Sequence, residues 1–71
     1  MEGGKATTKV NGKPVELPGT TPLLKYVRDL GVDPRAIAVE VNGEIVPREA
    51  YPDCRLREGD AVEIVRMVGG G

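Results

Sequence analysis

Ala61-Val62-Glu63-Ile64-Val65-Arg66-Met67-Val68-Gly69-Gly70-Gly71 closes the chain. Residues 61–68 are rich in β-branched side chains and alternate in character, which predicts a strand. The three glycines that follow carry no Cβ, which predicts for residues 69–71 a thin, mobile tail able to enter a narrow channel in another protein. Its one reactive group is the carboxylate of Gly71. A glycine-rich end is often a frayed terminus. A strand running straight into glycine also suits a carrier whose own carboxylate is worked on by partner enzymes. In the strand, Val62, Ile64, Arg66 and Val68 share one face, and Ala61, Glu63, Val65 and Met67 share the other. With Val62 and Ile64 turned inward, Val65 and Met67 lie on the outer surface of the sheet. Either they are ordinary scattered exposure, or they form a docking patch beside the tail, with Met67 giving adaptable contact.

Working back from the tail, Glu58-Gly59-Asp60 has turn chemistry. Ile37, Val39 and Val41 alternate with Ala38 and Glu40, predicting a strand with one apolar face. Asn42-Gly43 then turns into Glu44-Ile45-Val46. Pro47 to Pro52 is too broken for a strand and predicts a turn of 3₁₀ helix, within which Arg48-Glu49 reads as structural turn chemistry or an ion pair. Cys54-Arg55-Leu56 reads as a short extension. Asn11-Gly12 joins Lys5–Val10 to Lys13–Leu17, the strongest short-range hairpin signal, and Pro14 makes the second of these an edge strand. Between the hairpins lies one helix. Thr21 suits its N-cap and Pro22 its first position. Leu23, Leu24, Val27 and Leu30 give it a core-facing stripe, Gly31 its left-handed end and Pro34 its stop. Hairpin, helix, strand pair and final strand make an α+β domain in which a mixed sheet of about four to five strands folds over one helix. The last strand pairs in parallel with the first, a β-grasp arrangement. The whole of 1–71 reads as a single domain, with residues 1–5 a disordered leader and 69–71 the reactive tail.

Composition narrows the function. Histidine, Trp and Phe are absent and Cys54 is the single cysteine, so neither a Ser-His nor a Cys-His pair nor a zinc cluster can be assembled. No catalytic residue, metal site or bound cofactor is expected within the monomer. A net charge of −1, with acids and bases interspersed, offers no basic field for nucleic acid, and two tyrosines offer little stacking. No run approaches the roughly 18 apolar residues of a membrane span, and the polar start Met1-Glu2-Gly3-Gly4-Lys5 lacks a signal-peptide core. The lone cysteine fits a reducing cytoplasm. Cys54 could carry a persulfide, but without a neighbouring lysine to lower its pKa an inert, half-buried thiol is the more ordinary reading. Gly3-Gly4-Lys5-Ala6-Thr7 lacks the first glycine and the hydroxyl of a phosphate loop. A chain of this length buries only about 60% of its unfolded surface, so the core is small.

Val41-Asn42-Gly43-Glu44-Ile45-Val46-Pro47-Arg48-Glu49, then Leu56-Arg57-Glu58-Gly59-Asp60-Ala61-Val62-Glu63-Ile64, then Val68-Gly69-Gly70-Gly71, together resemble the ThiS family of thiamine-biosynthesis sulfur carriers. The resemblance covers about residues 8–71; the leader Met1–Ala6 departs from the shorter family pattern. It implies a ubiquitin-like β-grasp fold and a cycle of chemistry on Gly71. A ThiF-like adenylating enzyme, using Mg-ATP, converts the Gly71 carboxylate to an acyl-adenylate. Sulfur from a persulfide donor displaces AMP to give a thiocarboxylate. The thiazole synthase ThiG takes that sulfur into thiazole. The carrier itself is then a co-substrate rather than an enzyme, a monomer on its own, with Gly69 and Gly70 entering the partner's active site. Relatives with the same chemistry stay open as alternatives, namely the molybdopterin synthase small subunit or a tRNA-thiolation carrier, as does a ubiquitin-like modifier joined to lysines through Gly71.

Overall fold

The computed structural model describes residues 4–67. Met1–Gly3 of the leader, and Val68 with the tail glycines Gly69, Gly70 and Gly71, lie outside the described residues.

Strand β1 (Ala6–Val10) turns through Asn11-Gly12 into β2 (Lys13–Leu17). Asn11 at φ 53° and Gly12 at φ 82° both occupy the left-handed region, the requirement of a type I′ turn. A two-residue strand, β3 (Thr21–Pro22), leads into helix α1 (Leu23–Asp29). A 3₁₀ turn at Pro34–Ala36 precedes β4 (Ile37–Val41). Asn42 (φ 53°) and Gly43 (φ 86°) repeat the turn conformation into β5 (Glu44–Ile45). A 3₁₀ segment, Arg48–Asp53, is followed by β6 (Arg55–Leu56) and β7 (Ala61–Arg66).

The five-stranded sheet runs β2-β1-β7-β4-β5. The last strand therefore lies at the centre, parallel to β1 and antiparallel to β4. This is the mixed β-grasp sheet the element order predicts, with Pro14 on the β2 edge where its missing N–H costs nothing. Alternate residues of each strand face α1. Leu23 and Val27 of the helix, Ile37 and Val39 of β4, Leu56 of β6 and Val62 of β7 are buried together as the core. Tyr51 from the 3₁₀ segment closes it from the side and donates its hydroxyl to the Ile37 carbonyl at 3.3 Å. Thr8, fully buried on β1, donates to the Arg57 carbonyl at 2.9 Å, as a buried hydroxyl must find an acceptor.

Several expectations need correction. Thr21 does not cap the helix and Pro22 is not its first residue. The helix starts at Leu23, and the Thr21 hydroxyl points back to the Gly19 carbonyl at 2.8 Å. The reason is tertiary. Thr21–Pro22 pairs with Arg55–Leu56 as a second, two-stranded sheet, and the Leu23 N–H donates to the Cys54 carbonyl at 2.9 Å. A donor that a cap would have satisfied is thus already paired. Leu30 is not core: it is 50% exposed. The helix ends at Asp29, and the chain reverses through Gly31 (φ 78°). Gly31 N–H donates to Arg28 and Val32 N–H to Val27, the Schellman pattern, which leaves Leu30 at the rim. The final strand is shorter than 61–68, ending at Arg66, and β5 stops at Ile45 rather than Val46. Arg48 turns away from an ion pair with Glu49 and donates to the Arg35 carbonyl at 3.1 Å.

Candidate functional site

The site is built on β7. Its register against β4 sets Val65 opposite Ala38, Glu63 opposite Glu40 and Ile64 opposite Val39. Val62 and Ile64 turn toward the helix, so the odd-numbered residues face out, as alternation requires. Val65 is 57% exposed and Met67 50%. The backbone is fixed up to that point, because Met67 N–H donates to the Ala36 carbonyl at 2.8 Å. The structure therefore brings Val65 and Met67 to one outer face next to residue 68. It adds a member that the sequence reading passed over: Ile45, 74% exposed, which stands opposite Glu40 at the edge of the same sheet. Ala38, Glu40, Ile45, Glu63 and Val65 line a shallow depression of about 140 Å³ there. The signal for Ile45 was present in the alternation Glu44-Ile45-Val46, but which of the two apolar residues faces out depends on register, and register is set by the turn.

Glu40 and Glu63 stand directly across from one another on this face. Like charges at opposed positions weaken a sheet by a few tenths of a kcal/mol. They also rim the apolar depression with negative charge.

What anchors β7 was less visible in sequence. Asn11 and Asn42 read there as turn residues only. In the structure each also binds the last strand. The Asn11 side chain accepts from the Ile64 N–H at 2.8 Å and donates to the Ile64 carbonyl at 3.2 Å. Its amide takes the place of a strand residue where β1 has turned away. The Asn42 side chain accepts from the Ala61 N–H at 2.9 Å and donates to the Asp60 carboxylate at 3.1 Å. Asp60 in turn accepts from the Arg57 N–H at 2.8 Å, tightening the turn that launches the strand. The strand that leads to the tail is thus latched on both flanks.

Cys54 is partly buried and sits away from that outer face. Burial pushes its thiol up from the ordinary range, and the nearby Asp60 carboxylate adds to the effect. That is the opposite of the lowered pKa a reactive thiolate needs. Among the described residues no group of three or more His, Cys, Asp or Glu is placed to hold a metal ion, and no helix is long and apolar enough to cross a membrane.

The ThiS family profile matches residues 8–71. A sulfur carrier protein ThiS from Thermus thermophilus is 39% identical over 62 residues, covering 87% of this chain and 95% of that protein. A thiazole synthase from Paramagnetospirillum magneticum is also 39% identical over 62 residues, but there the match spans only 19% of the larger protein. Among solved structures, the crystal structure of the thiamine biosynthesis protein ThiS from Geobacter metallireducens superposes with a TM-score of 0.77 at 35% identity, covering 92% of this chain and 99% of that one.

Proposed function

The chain belongs to the ThiS family, and from that premise we propose that it is a sulfur carrier protein of thiamine biosynthesis that works through the carboxylate of Gly71. The observation that carries this reading is the match over residues 8–71, which runs through the central strand and includes the tail glycines. The fold supports it: the described chain reaches Met67 along a latched strand in the middle of the sheet, beside an exposed apolar face.

A carboxylate is a poor acceptor for sulfur because oxide is a poor leaving group. A ThiF-like adenylating enzyme would bind Mg-ATP as the co-substrate. One Gly71 carboxylate oxygen attacks the α-phosphorus, pyrophosphate leaves, and an acyl-adenylate forms. A persulfide sulfur then attacks the carbonyl carbon and AMP leaves, giving an acyl disulfide. A second thiol attacks the donor-side sulfur, takes up the donor as a disulfide and releases the Gly71 thiocarboxylate. The nucleotide site and bases belong to the partner, in keeping with a chain that has no histidine. The protein is a carrier acted on by enzymes, and the cytoplasm is where we place it. Thiazole synthase is the proposed sulfur acceptor; the relative in which a ThiS-like segment shares a chain with a thiazole synthase favours that pairing. Val65 and Met67, with Ile45, form the proposed docking face, and Gly69 and Gly70 the segment that enters the partner's active site.

The test is loading followed by intact-protein mass spectrometry. The carrier is mixed with a ThiF-like enzyme, Mg-ATP and a persulfide donor. The expected result is exchange of one C-terminal oxygen for sulfur in the native chain and none after deletion of Gly71, with the fold retained. Val65→Asp and Met67→Asp should slow loading without unfolding the domain. Sulfur gain by the Gly71 deletion would refute the reading. An isopeptide at Gly71 in place of a thiocarboxylate would redirect it to a protein modifier.

A further inference from the structure

Among the described residues, nothing pairs with the flank of β7 that faces β1 beyond Asn11. The hydrogen-bond pattern fixes the direction of each backbone group. Met67 N–H donates to Ala36 and the Ala61 carbonyl accepts from Asn42 N–H, so the odd-numbered residues of β7 bond toward β4. The Val62 carbonyl accepts from Asn11 N–H, and both backbone groups of Ile64 are taken by the Asn11 side chain, so the even-numbered residues bond toward β1. Arg66 is the next even residue. Its N–H and C=O project to the β1 side at a level β1 never reaches, because that strand turns at Asn11-Gly12. Among the described residues neither group has a partner.

On the helix side of this gap lies a groove of about 180 Å³, whose lining includes Asn11, Leu30, Val32, Ile37, Ile64 and Arg66. Leu30, half exposed at the helix terminus, forms one wall. An open donor–acceptor pair on a strand edge, beside an apolar groove, is the requirement for adding a strand from another chain: main-chain bonds give affinity and one side-chain pocket gives selectivity.

We propose that an extended segment of the adenylating partner pairs with the Arg66 backbone here and lays one apolar side chain against Leu30, Val32 and Ile64. The proposal rests on the reading that Gly71 is the activated carboxylate. Residues 68–71 span at most about 14 Å when fully extended, so an enzyme that acts on Gly71 must come within that distance of the strand end. Activation joins two reactants in line and tolerates little misdirection. A strand paired at Arg66 would fix the direction in which the tail leaves the sheet. This site differs from the Val65–Met67 face: it lies on the flank and helix side of β7, not on its outer surface.

The test is amide hydrogen exchange on the full chain, alone and with a purified ThiF-like adenylating enzyme. The Arg66 amide exchanges as an unprotected group in the free protein and slows about tenfold or more in the complex, whereas Met67, already bonded to Ala36, changes less. Leu30→Glu, at an exposed position, keeps the fold and weakens the complex about tenfold or more, in the range of a lost binding hot spot. Arg66→Pro, which removes the N–H itself, does the same. A complex that forms and loads sulfur while Arg66 stays unprotected overturns this inference and leaves the carrier reading standing. Failure of the native chain to bind or load overturns both. Protection of Arg66 that grows with carrier concentration alone shows a second copy on the flank and also overturns the proposal.

Discussion

Replacing Asn11 tests the claim that one turn side chain serves as a segment of strand. Asn11 has two separable duties. Its backbone sits at φ 53°, and its side-chain amide makes two bonds to Ile64, of 2.8 and 3.2 Å. Each exposed bond is worth about 0.5–1 kcal/mol net. Alanine in the left-handed region costs about 1–2 kcal/mol, part of which Asn already pays. Asn11→Ala loses both contributions and should destabilise by about 2–3 kcal/mol. Asn11→Gly loses the bonds but keeps the turn, with a modest entropic penalty, and should cost about 1–2 kcal/mol. A domain of 71 residues has roughly 4–10 kcal/mol in all, so the alanine variant gives up a large share of it. Its midpoint should fall by about 10–20 °C. With no Trp in the chain, far-UV circular dichroism through a urea titration is the natural assay. Ile64 amide exchange supplies the local readout, since both variants free that N–H. Equal stability of native chain and Asn11→Gly, with Ile64 still protected, would refute the latch. Equal loss in the alanine and glycine variants would refute the backbone half of the argument.

Tyr51→Phe keeps the buried ring but strips the Ile37 carbonyl of its donor; it should cost about 1 kcal/mol, read as a lower urea midpoint. No change would mean that the 3.3 Å contact carries nothing. Cys54 should be alkylated more slowly in the native chain than in urea at pH 7, because burial and the Asp60 charge hold the thiol protonated. A group whose folded pKa is raised adds stability that is complete below the unfolded thiol's value, about 8.5, and is lost as pH climbs through the folded value. Thermal melts at rising pH should therefore show a decline that is smaller in Cys54→Ala, and identical declines would remove Cys54 from the account.

The fold was legible because its punctuation is local. Asn11-Gly12 and Asn42-Gly43 fix two hairpins by backbone conformation alone, and Gly31 with Pro34 ends the helix. The alternation in 37–41 and 61–66 then leaves one face apolar, and a single amphipathic helix must cover it. The start of the helix was not legible, since Thr21 has the right chemistry for a cap. What displaced it was pairing with Leu56, 35 positions away in sequence, together with the Cys54 carbonyl that meets Leu23 N–H. Leu30 failed for a related reason: its helical phase is right, but it sits after the last turn, where no core remains to cover it. On the site, Val65 and Met67 could be found from alternation, whereas Ile45 required the turn register. The Asn latches required three-dimensional neighbours that no dipeptide signal carries.

The distribution of bonds along β7 is itself an argument about function. Its first half is held as firmly as a small domain allows: parallel bonds to β1, antiparallel bonds to β4, and side-chain amides from both turns. Beyond Ile64 the bonds among the described residues are on the β4 side alone. Arg66 has no backbone partner among the described residues, and Val65 and Met67 face solvent, although two apolar side chains beside an unpaired strand edge together invite unwanted association. A fold selected for stability alone would extend β1 by two residues and cover that edge. Shortening β1 and replacing its last residue with an asparagine side chain keeps the strand in place while leaving its exit accessible from one side. That asymmetry is what a tail handled by another protein requires, and it predicts that lengthening β1 past Asn11, by inserting two strand-forming residues before the turn, would raise the melting midpoint and lower the rate of sulfur loading. A longer β1 that raised stability and left loading untouched would show the open flank to be an accident of the turn.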